Sequence, residues 1–181
     1  MKQFTLFKSD KENYQYIVDV FKMLVGNFVK VEELSEGLII YHQEYSYDEI
    51  KSTIQSLEAD LNTNICVYQS YLALENGLKL ELKLIEPLFY KLEFGCYNLK
   101  ELLLNSNVTT SSELLHFIID GTGVDERIIE MMALADLNVS KAANLLYLHR
   151  NSLNYKIDRL LENKGFDLRR FVDLYCLFRL L

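Results

Sequence analysis

Hydrophobic residues recur with two different periods along the first 70 positions of the chain. Four short runs have strand character, since β-branched and aromatic residues stand between turn residues: 3–8, 28–34, 37–43 and 64–70. Two intervening segments repeat apolar residues at helical spacing, from Tyr14 to Val25 and from Ile50 to Leu61. The order β-α-β-β-α-β predicts a ferredoxin-like domain, in which two helices cover one face of a four-stranded antiparallel sheet.

Three tetrapeptides of the capping-box type predict where helices begin: Ser9–Glu12, Ser46–Glu49 and Thr110–Glu113. In a capping box, the side chains at the first and fourth positions satisfy free backbone amides of the first helical turn. Gly26 is predicted to end the first helix, because glycine readily adopts the backbone conformation that follows a helix. Polar residues and glycine therefore indicate the helix ends, just as the apolar residues indicate the buried faces.

Residues 76–123 are predicted to be mostly helical. Apolar residues keep a helical spacing over 78–92, and Pro87 predicts a kink or a boundary inside that segment. Residues 78–84 (LKLELKL) also alternate perfectly between apolar and polar, which leaves a strand open as an alternative there. A further short helix is predicted at 98–104.

After the breaker Gly121-Thr122-Gly123, where the main boundary is predicted, the pattern is entirely helical. The predicted helices are 126–136 with Asp125 as its cap, 141–147 with Ser140 as its cap, 150–163 ended by Gly165, and 167–181. The last of these carries Leu168, Phe171, Leu174, Phe178 and Leu181 at helical spacing. The two middle helices, joined by a turn at Leu148-His149, have the dimensions of a helix-turn-helix. Ala142 and Ala143 are small enough to let the two helix axes cross closely.

The longer helix of this pair has one apolar and one polar side. Leu153, Ile157 and Leu160 are predicted to face the core. The opposite side carries Asn151, Ser152, Tyr155 and Arg159, with Asn154 and Lys156 on its flanks. Such a polar surface, with the positive end of the helix dipole leading, suits the major groove of double-stranded DNA. Spacing alone also fits a solvated helix in a purely structural corner, so both interpretations stay open at this point.

The net charge of −7 hides an asymmetry along the chain. Residues 1–126 contain 10 lysines and arginines against 20 acidic residues, whereas residues 127–181 contain 9 against 6. An acidic body with a basic end indicates a segment that meets an anion such as DNA.

The remaining chemistry is sparse. The cysteines (Cys66, Cys96 and Cys176) are far apart and odd in number, which is typical of reduced thiols and predicts a cytoplasmic protein. No apolar run approaches the ~20 residues of a membrane span, and the first residues lack a signal-peptide pattern, so no membrane partner is predicted. The sequence contains no metal-ligand spacing, nucleophile elbow, phosphate loop or dinucleotide fingerprint. We therefore expect no metal, no cofactor and no enzyme activity, with a small enzyme on the amino-terminal fold as the least favoured alternative.

Residues 138–168 (NVSKAANLLYLHRNSLNYKIDRLLENKGFDL) resemble the carboxy-terminal helix-turn-helix of PucR/CdaR-type transcription regulators. The positions that fall on the family pattern in register are Asn138, Ser140, Ala142, Ala143, Leu146, Leu148, His149, Arg150, Asn151, Leu153, Tyr155 and Ile157. The most specific part is the core H-R-N-[ST]-L-x-Y. More distantly, the same stretch is similar to the DNA-binding end of the factor for inversion stimulation. The helical segments before and after it look like the linker region and the closing helix of the family.

The resemblance implies that the longer helix reads DNA. The implied base-edge contacts are Asn151, Ser152, Asn154 and Tyr155, and the implied phosphate contacts are Arg150, Lys156 and Arg159. His149 either closes the turn or lies close to DNA.

This chain departs from the family pattern in ways that lower its positive charge. Ser152 replaces the usual threonine and keeps the hydroxyl, whereas Asn154, Lys156 and Asp158 stand where arginine is common. Asp158 would also repel phosphate. These changes predict weaker DNA binding or an altered sequence preference.

Together the patterns predict an α+β protein with a ferredoxin-like domain at 1–75, a helical connector at 76–123 and an all-α helix-turn-helix domain at 124–181. Its predicted function is the regulation of transcription by binding double-stranded DNA as a homodimer, since helix-turn-helix proteins usually pair to read two half-sites. The first domain would then carry dimerisation or respond to a small-molecule effector or a protein partner. The alternative is a protein-interaction regulator whose helix-turn-helix has lost DNA binding.

Overall fold

The computed structural model describes residues 3–26, 29–70 and 75–181. The chain divides into two compact units, Met1–Ser106 and Asn107–Leu181. The division falls inside the predicted connector, so the helices of that segment are shared between the units. Because a compact unit is not by itself an independently folding domain, the three-part division made from the sequence stays a prediction.

The first unit combines strands and helices. The strands are β1 (Gln3–Lys8), β2 (Lys30–Glu33), β3 (Leu38–His42), β4 (Cys66–Gln69) and β5 (Gly95–Tyr97). The helices are α1 (Tyr14–Val25), preceded by a 3-10 turn at Lys11–Asn13, α2 (Tyr47–Leu61), α3 (Glu75–Phe89) and α4 (Leu99–Asn105). The second unit is helical, with α5 (Ser112–Ile119), α6 (Glu126–Leu134), α7 (Val139–Leu145), α8 (Arg150–Lys164) and α9 (Phe171–Phe178). The predicted α+β class is confirmed.

The strands of the described residues form one sheet in the order β2-β3-β1-β4-β5. Strand β1 lies in the middle and is antiparallel to both neighbours, with Thr5 opposite Ile40 on β3 and opposite Gln69 on β4. Strands separated by a helix therefore lie on either side of a third strand, which is the ferredoxin-like arrangement. This part of the sequence-based prediction is confirmed.

Strand β5 extends the predicted four-stranded antiparallel sheet. It pairs parallel to β4, with Val67 opposite Cys96. Its three residues begin with Gly95, which has a φ of 120°, a conformation that other residues rarely adopt. So short a segment carries no periodic signal, and its strand conformation comes from pairing with the edge of β4.

Helices cover both faces of the sheet. On one face, Phe7, Leu38, Ile40 and Val67 join a buried cluster with residues of α1 and α2, such as Phe21 and Ile54. Both of these helices lie on the same face, as predicted. On the other face, the buried hydroxyl of Tyr68 donates a hydrogen bond of 2.6 Å to the Glu81 carboxylate of α3. Burying this polar group inside the unit is tolerated because it has a partner.

Helix α3 settles the ambiguity left by the alternating segment 78–84. Leu78, Ile85 and Phe89 are buried on one side of a continuous helix, so the alternative strand is wrong. The kink or boundary predicted at Pro87 lies inside the helix, two residues before its end. Because proline has no backbone N–H, the carbonyl four residues before it loses its helical partner, and the helix ends two residues after Pro87.

The predicted capping boxes do not form. Asp10, Ser46 and Ser111 precede helical segments without a side-chain hydrogen bond to the first turn. A capping box forms instead at α4, where Oδ1 of Asn98 accepts from the amide of Glu101 at 3.0 Å and the Glu101 carboxylate accepts from the amide of Asn98 at 3.3 Å. The signal Asn-x-x-Glu was present in the sequence, but it starts with asparagine instead of serine or threonine.

The last helix is shorter than predicted and turns a different side to the core. It begins at Phe171, preceded by a turn in which Leu168 is fully buried. Of the apolar residues at helical spacing, Leu174 is buried, whereas Phe171 and Phe178 are 70% and 47% exposed. Cys176 and Leu177 are buried instead. Apolar residues occupy both sides of this segment, so periodicity could not decide which side packs inward. None of the helices in the described ranges is long and apolar enough to cross a membrane.

His42 on β3 is a fully buried histidine. Its Nε2 lies 2.9 Å from Oγ1 of Thr5, and its ring meets Phe21 edge-on with 5.4 Å between the centroids. Burial lowers the pKa of His42 below its ordinary value, because the charged form would lose its hydration. In the unfolded chain the pKa of His42 is about 6.5. Its contribution to stability is therefore complete above that pH and is lost as the pH falls toward the lower pKa of the folded state.

We expect acid to destabilise the first unit through His42. The urea midpoint of the wild-type chain should fall between about pH 7 and pH 5, and His42→Gln should show a smaller fall because the titrating group is gone. His116→Gln is the matched control, since His116 is exposed on α5. An equal pH dependence in His42→Gln and in the wild type would contradict the assignment.

Candidate nucleic-acid interface

Helices α7 and α8 form a close pair in the second unit. Ala142 and Ala143 of α7 are 0% and 1% exposed, which fits the close crossing expected for small side chains. Leu153, Ile157 and Leu160 of α8 are fully buried, as the sequence predicted. The helices are joined by residues 146–149, in which Tyr147 has a left-handed φ of 56°. The pair therefore has the connectivity and buried face of a helix-turn-helix.

The start of α7 differs from the prediction. Oδ1 of Asn138 accepts a hydrogen bond of 3.0 Å from the amide of Lys141, so Asn138 caps the helix and Ser140 lies inside it. The cap predicted at Asp125 is confirmed, since Oδ1 of Asp125 accepts from the amide of Ile128 at 2.9 Å. Both capping residues bond to the amide three positions on, which is the usual geometry of a helix start.

We expect Asn138→Ala to destabilise the second unit by about 1 kcal/mol, because the first turn of α7 would lose its side-chain acceptor. Ser140→Ala is the matched control and should change the free energy of unfolding by less than about 0.5 kcal/mol. Urea denaturation followed by circular dichroism measures both values. If Ser140→Ala cost as much as Asn138→Ala, the assignment of the cap would be wrong.

His149 starts α8. Its Nδ1 accepts a hydrogen bond of 3.2 Å from the amide of Asn151, so the ring acts as the helix cap and closes the turn. The first turn of α8 contains no acidic residue. The positive end of the helix dipole is therefore not offset by a carboxylate in that turn, and it favours an approaching anion.

The polar side chains of α8 are accessible. Arg150, Asn151, Ser152 and Tyr155 are exposed, whereas Asn154, Lys156 and Arg159 are partly buried. An open concavity of about 420 Å³ is lined by Asn151, Ser152, Tyr155, Lys156 and Arg159 of α8 and by Thr122 and Gly123. The structure thus brings most of the candidate site residues together, whereas Arg150 and Asn154 lie outside the lining.

The loop before α6 holds two of the candidate cations. Nζ of Lys156 donates a hydrogen bond to the carbonyl of Gly123, and Nη2 of Arg159 donates to the carbonyl of Gly121. The Arg159 guanidinium also lies 5.8 Å from the ring centroid of Tyr155. The sequence indicated this loop only as a breaker, because backbone carbonyls that accept from a distant side chain have no residue signature.

Asp158 is paired with a cation. Its carboxylate lies 2.9 Å from the Arg169 guanidinium, which also donates to Asp167 at 2.7 Å. The hydrogen bond to Asp167 raises the pKa of Arg169 above its ordinary value, so the guanidinium keeps its charge. The repulsion of phosphate expected from Asp158 is therefore partly offset. In the described part of the chain, no group of three or more histidine, cysteine or acidic side chains could hold a metal ion.

Comparison with known proteins supports this description of the carboxy-terminal segment. Residues 127–179 match the family model described as the PucR C-terminal helix-turn-helix domain. The resemblance found in the sequence is thereby confirmed over those residues. The match covers α7 and α8 completely, together with most of α6 and all of α9, and it leaves the first unit outside.

The other comparisons are less informative. A crystal structure of a regulator of polyketide synthase expression from Bifidobacterium adolescentis is similar to the chain at 14% sequence identity, with a TM-score of 0.45. The similarity covers 99% of this chain and 78% of that one. No curated protein matches the chain.

Proposed function

We propose that the protein regulates transcription by binding double-stranded DNA, with α8 in the major groove. The observation that carries this proposal is the PucR-type helix-turn-helix at 127–179, in which α8 buries its apolar side and exposes Arg150, Asn151, Ser152 and Tyr155. In helix-turn-helix proteins the second helix of the pair contacts base edges through its first turns.

The positions of the candidate base contacts support this proposal. Asn151 and Ser152 are in the first turn of α8, and Tyr155 follows one turn later on the same side. Asparagine can hydrogen-bond adenine through two atoms, and serine can either donate or accept. Asn154 lies on the flank, where it would reach base edges from one side of the groove.

The cations keep donors available for phosphate while they are held by the loop. Lysine has three N–H donors and arginine has five. Lys156 and Arg159 each use a donor for a carbonyl of the Gly121–Gly123 loop. The loop therefore restrains both side chains before DNA binds. This lowers the conformational entropy that they would lose on binding phosphate. Arg150, at the exposed start of α8, is the third candidate for a phosphate contact.

We further propose that the protein acts as a cytoplasmic homodimer without a cofactor and without enzyme activity of its own. The first unit then carries sensing of a small-molecule effector or a protein partner. The acidic net charge of the first unit supports a role in sensing and not in DNA binding, because a strongly acidic segment is a poor surface for DNA.

The proposal is tested by selecting duplexes from a random DNA pool with the full chain. Binding of the selected duplex and of a scrambled one is then measured by fluorescence anisotropy over a salt series. We expect preference for the selected duplex and a steep loss of affinity with salt, since each phosphate contact contributes about 0.9 to the logarithmic slope. A folded chain that binds neither duplex at low salt would overturn the proposal.

A further inference from the structure

The exposed side chains of α8 indicate which bases this helix prefers. Its concavity is lined by Asn151 and Ser152 in the first turn and by Tyr155 one turn later. Each base pair presents a different pattern of donors, acceptors and methyl groups in the major groove, so each side chain fits some bases better than others. Because α8 is the proposed DNA-reading helix, the base preference derived from these side chains rests on the proposed function.

Asn151 matches adenine. Its exposed amide offers an acceptor at Oδ1 and N–H donors at Nδ2. Adenine presents an N–H donor at N6 beside an acceptor at N7, so both ends of the amide are satisfied by one base. Guanine presents two acceptors there, N7 and O6, and Oδ1 would face O6 without a proton between them. Asn154 offers the same two groups from the flank of the helix.

Tyr155 matches thymine, the partner of adenine. Its side chain is 63% exposed, and the Arg159 guanidinium, 5.8 Å from the ring centroid, restrains the ring on the polar side of α8. Among the four bases only thymine carries a methyl group into the major groove, where an apolar surface such as an aromatic ring contacts it. The hydroxyl of Ser152 can donate or accept, so it does not oppose a preference for A·T pairs.

The cations that line the concavity are poorly placed to read guanine. Arginine and lysine read guanine by donating to N7 and O6 of one base edge. Lys156 and Arg159 already donate to the carbonyls of Gly123 and Gly121, so a bidentate contact with guanine competes with the bonds to the loop. Their remaining donors can meet phosphate at the edge of the groove without leaving the loop. Both side chains therefore add affinity without adding a preference for guanine.

The other residue types that read G·C pairs lie elsewhere or do not occur in this stretch. Arg150 is rotated by about 100° from Asn151 around the helix axis, and it lies outside the lining of the concavity. Aspartate and glutamate, which accept from N4 of cytosine, do not occur between residues 150 and 157. The side of α8 that would meet base edges thus favours adenine and thymine.

We propose that α8 reads an A·T pair, with Asn151 on N6 and N7 of the adenine, and that Tyr155 contacts the methyl group of a thymine one or two base pairs away. Asn151 and Tyr155 are four residues apart, which is about 6 Å along the helix axis. Stacked base pairs are about 3.4 Å apart, so this distance spans one or two base-pair steps. The class of duplex bound is therefore one whose core contains A·T pairs at these positions.

Selection from a random duplex pool with the full chain shows the preference directly. We expect enrichment of adenine at one position and of thymine one or two base pairs away. Replacing the enriched A·T pair by G·C should weaken binding roughly 10- to 100-fold. If guanine were enriched there, or if both duplexes bound equally, the base preference would be wrong while DNA binding stood. If no duplex were bound, the proposed function would fail and the base preference with it.

Modified bases assign the contacts to single side chains. 7-Deazaadenine lacks the N7 acceptor, so placing it at the enriched adenine should weaken binding by the wild type about tenfold. Asn151→Ala should bind the modified and unmodified duplexes equally, because the amide that contacts N7 is gone. Uracil lacks the methyl group of thymine and gives the same comparison for Tyr155→Ala. A penalty that is unchanged in Asn151→Ala would show that another residue contacts the adenine, which overturns the assignment.

A change of preference is the strictest test. Asn151→Arg should move the preference at its position from adenine to guanine, because the guanidinium donates to both N7 and O6. Asn163→Arg is the matched control, since it adds the same charge at an exposed asparagine near the other end of α8 and should leave adenine preferred. Circular dichroism of each variant establishes that it is folded. Retention of adenine by Asn151→Arg, or a switch to guanine in Asn163→Arg, would contradict the assignment.

Discussion

Arg150→Glu is expected to weaken DNA binding by roughly 10- to 100-fold at low salt, since it removes a phosphate contact and adds a repelled charge. Arg150 is exposed at the first residue of α8, where the first turn contains no carboxylate. The substitution would place a negative charge where the backbone phosphate is expected to lie. The logarithmic salt slope should also fall by about one. Fluorescence anisotropy over a salt series measures both effects.

Lys11→Glu is the control for that experiment. Lys11 is an exposed lysine of the first unit, so its substitution changes the net charge of the chain by the same amount as Arg150→Glu. We expect a much smaller loss of affinity for Lys11→Glu, from the long-range field alone. Equal losses in the two variants would show that net charge, and not a contact at the start of α8, determines DNA binding.

Ile157→Ala is expected to destabilise the second unit by about 2–5 kcal/mol, because it leaves a cavity where a fully buried side chain had packed. Ile157 is 0% exposed and lies between Leu153 and Leu160 on the buried side of α8. Since domains are stable by only about 5–15 kcal/mol, this loss should unfold a measurable fraction of the second unit at physiological temperature and reduce DNA binding with it.

The control is a similar truncation on the same helix. Leu161 is 38% exposed, so Leu161→Ala truncates a branched apolar side chain of the same helix at a smaller cost, about 1 kcal/mol. Chemical denaturation followed by circular dichroism compares the two variants. If Leu161→Ala were as destabilising as Ile157→Ala, the orientation of α8 in the structure would be wrong.

The sheet of the first unit could be predicted because its strands and helices have different periods. Phe7, Ile40 and Val67 follow the alternation that buries one face, and Ile17 and Phe21 follow the helical spacing above it. Strand β5 could not be predicted, because three residues cannot show a period and its conformation depends on pairing with β4. The alternating segment of α3 was ambiguous because its polar residues do not all face solvent. Glu81 is buried, and its hydrogen-bond partner Tyr68 lies on β4, outside the segment.

The recognition helix itself could be predicted from residue types, whereas its surroundings could not. The buried side is indicated by the helical spacing of Leu153, Ile157 and Leu160. The family resemblance rests on the H-R-N-S-L core. The contacts of Lys156 and Arg159 with the Gly121–Gly123 loop depend on backbone carbonyls brought near by folding. The ion pair between Asp158 and Arg169 joins residues eleven positions apart across the end of α8, and neither residue type indicates the other.

An NMR titration of the ¹⁵N-labelled full chain with the selected duplex would most directly test whether α8 reads DNA. If α8 lies in the major groove, the largest changes in amide chemical shift should fall on residues 150–156. The amides of Gly121 and Gly123 should also shift when Lys156 and Arg159, which donate to their carbonyls, bind phosphate. The amides of β1, β3 and β4 should change little. Largest shifts in the sheet of the first unit, with α8 unperturbed at saturating DNA, would contradict the assignment of α8 as the DNA-reading helix.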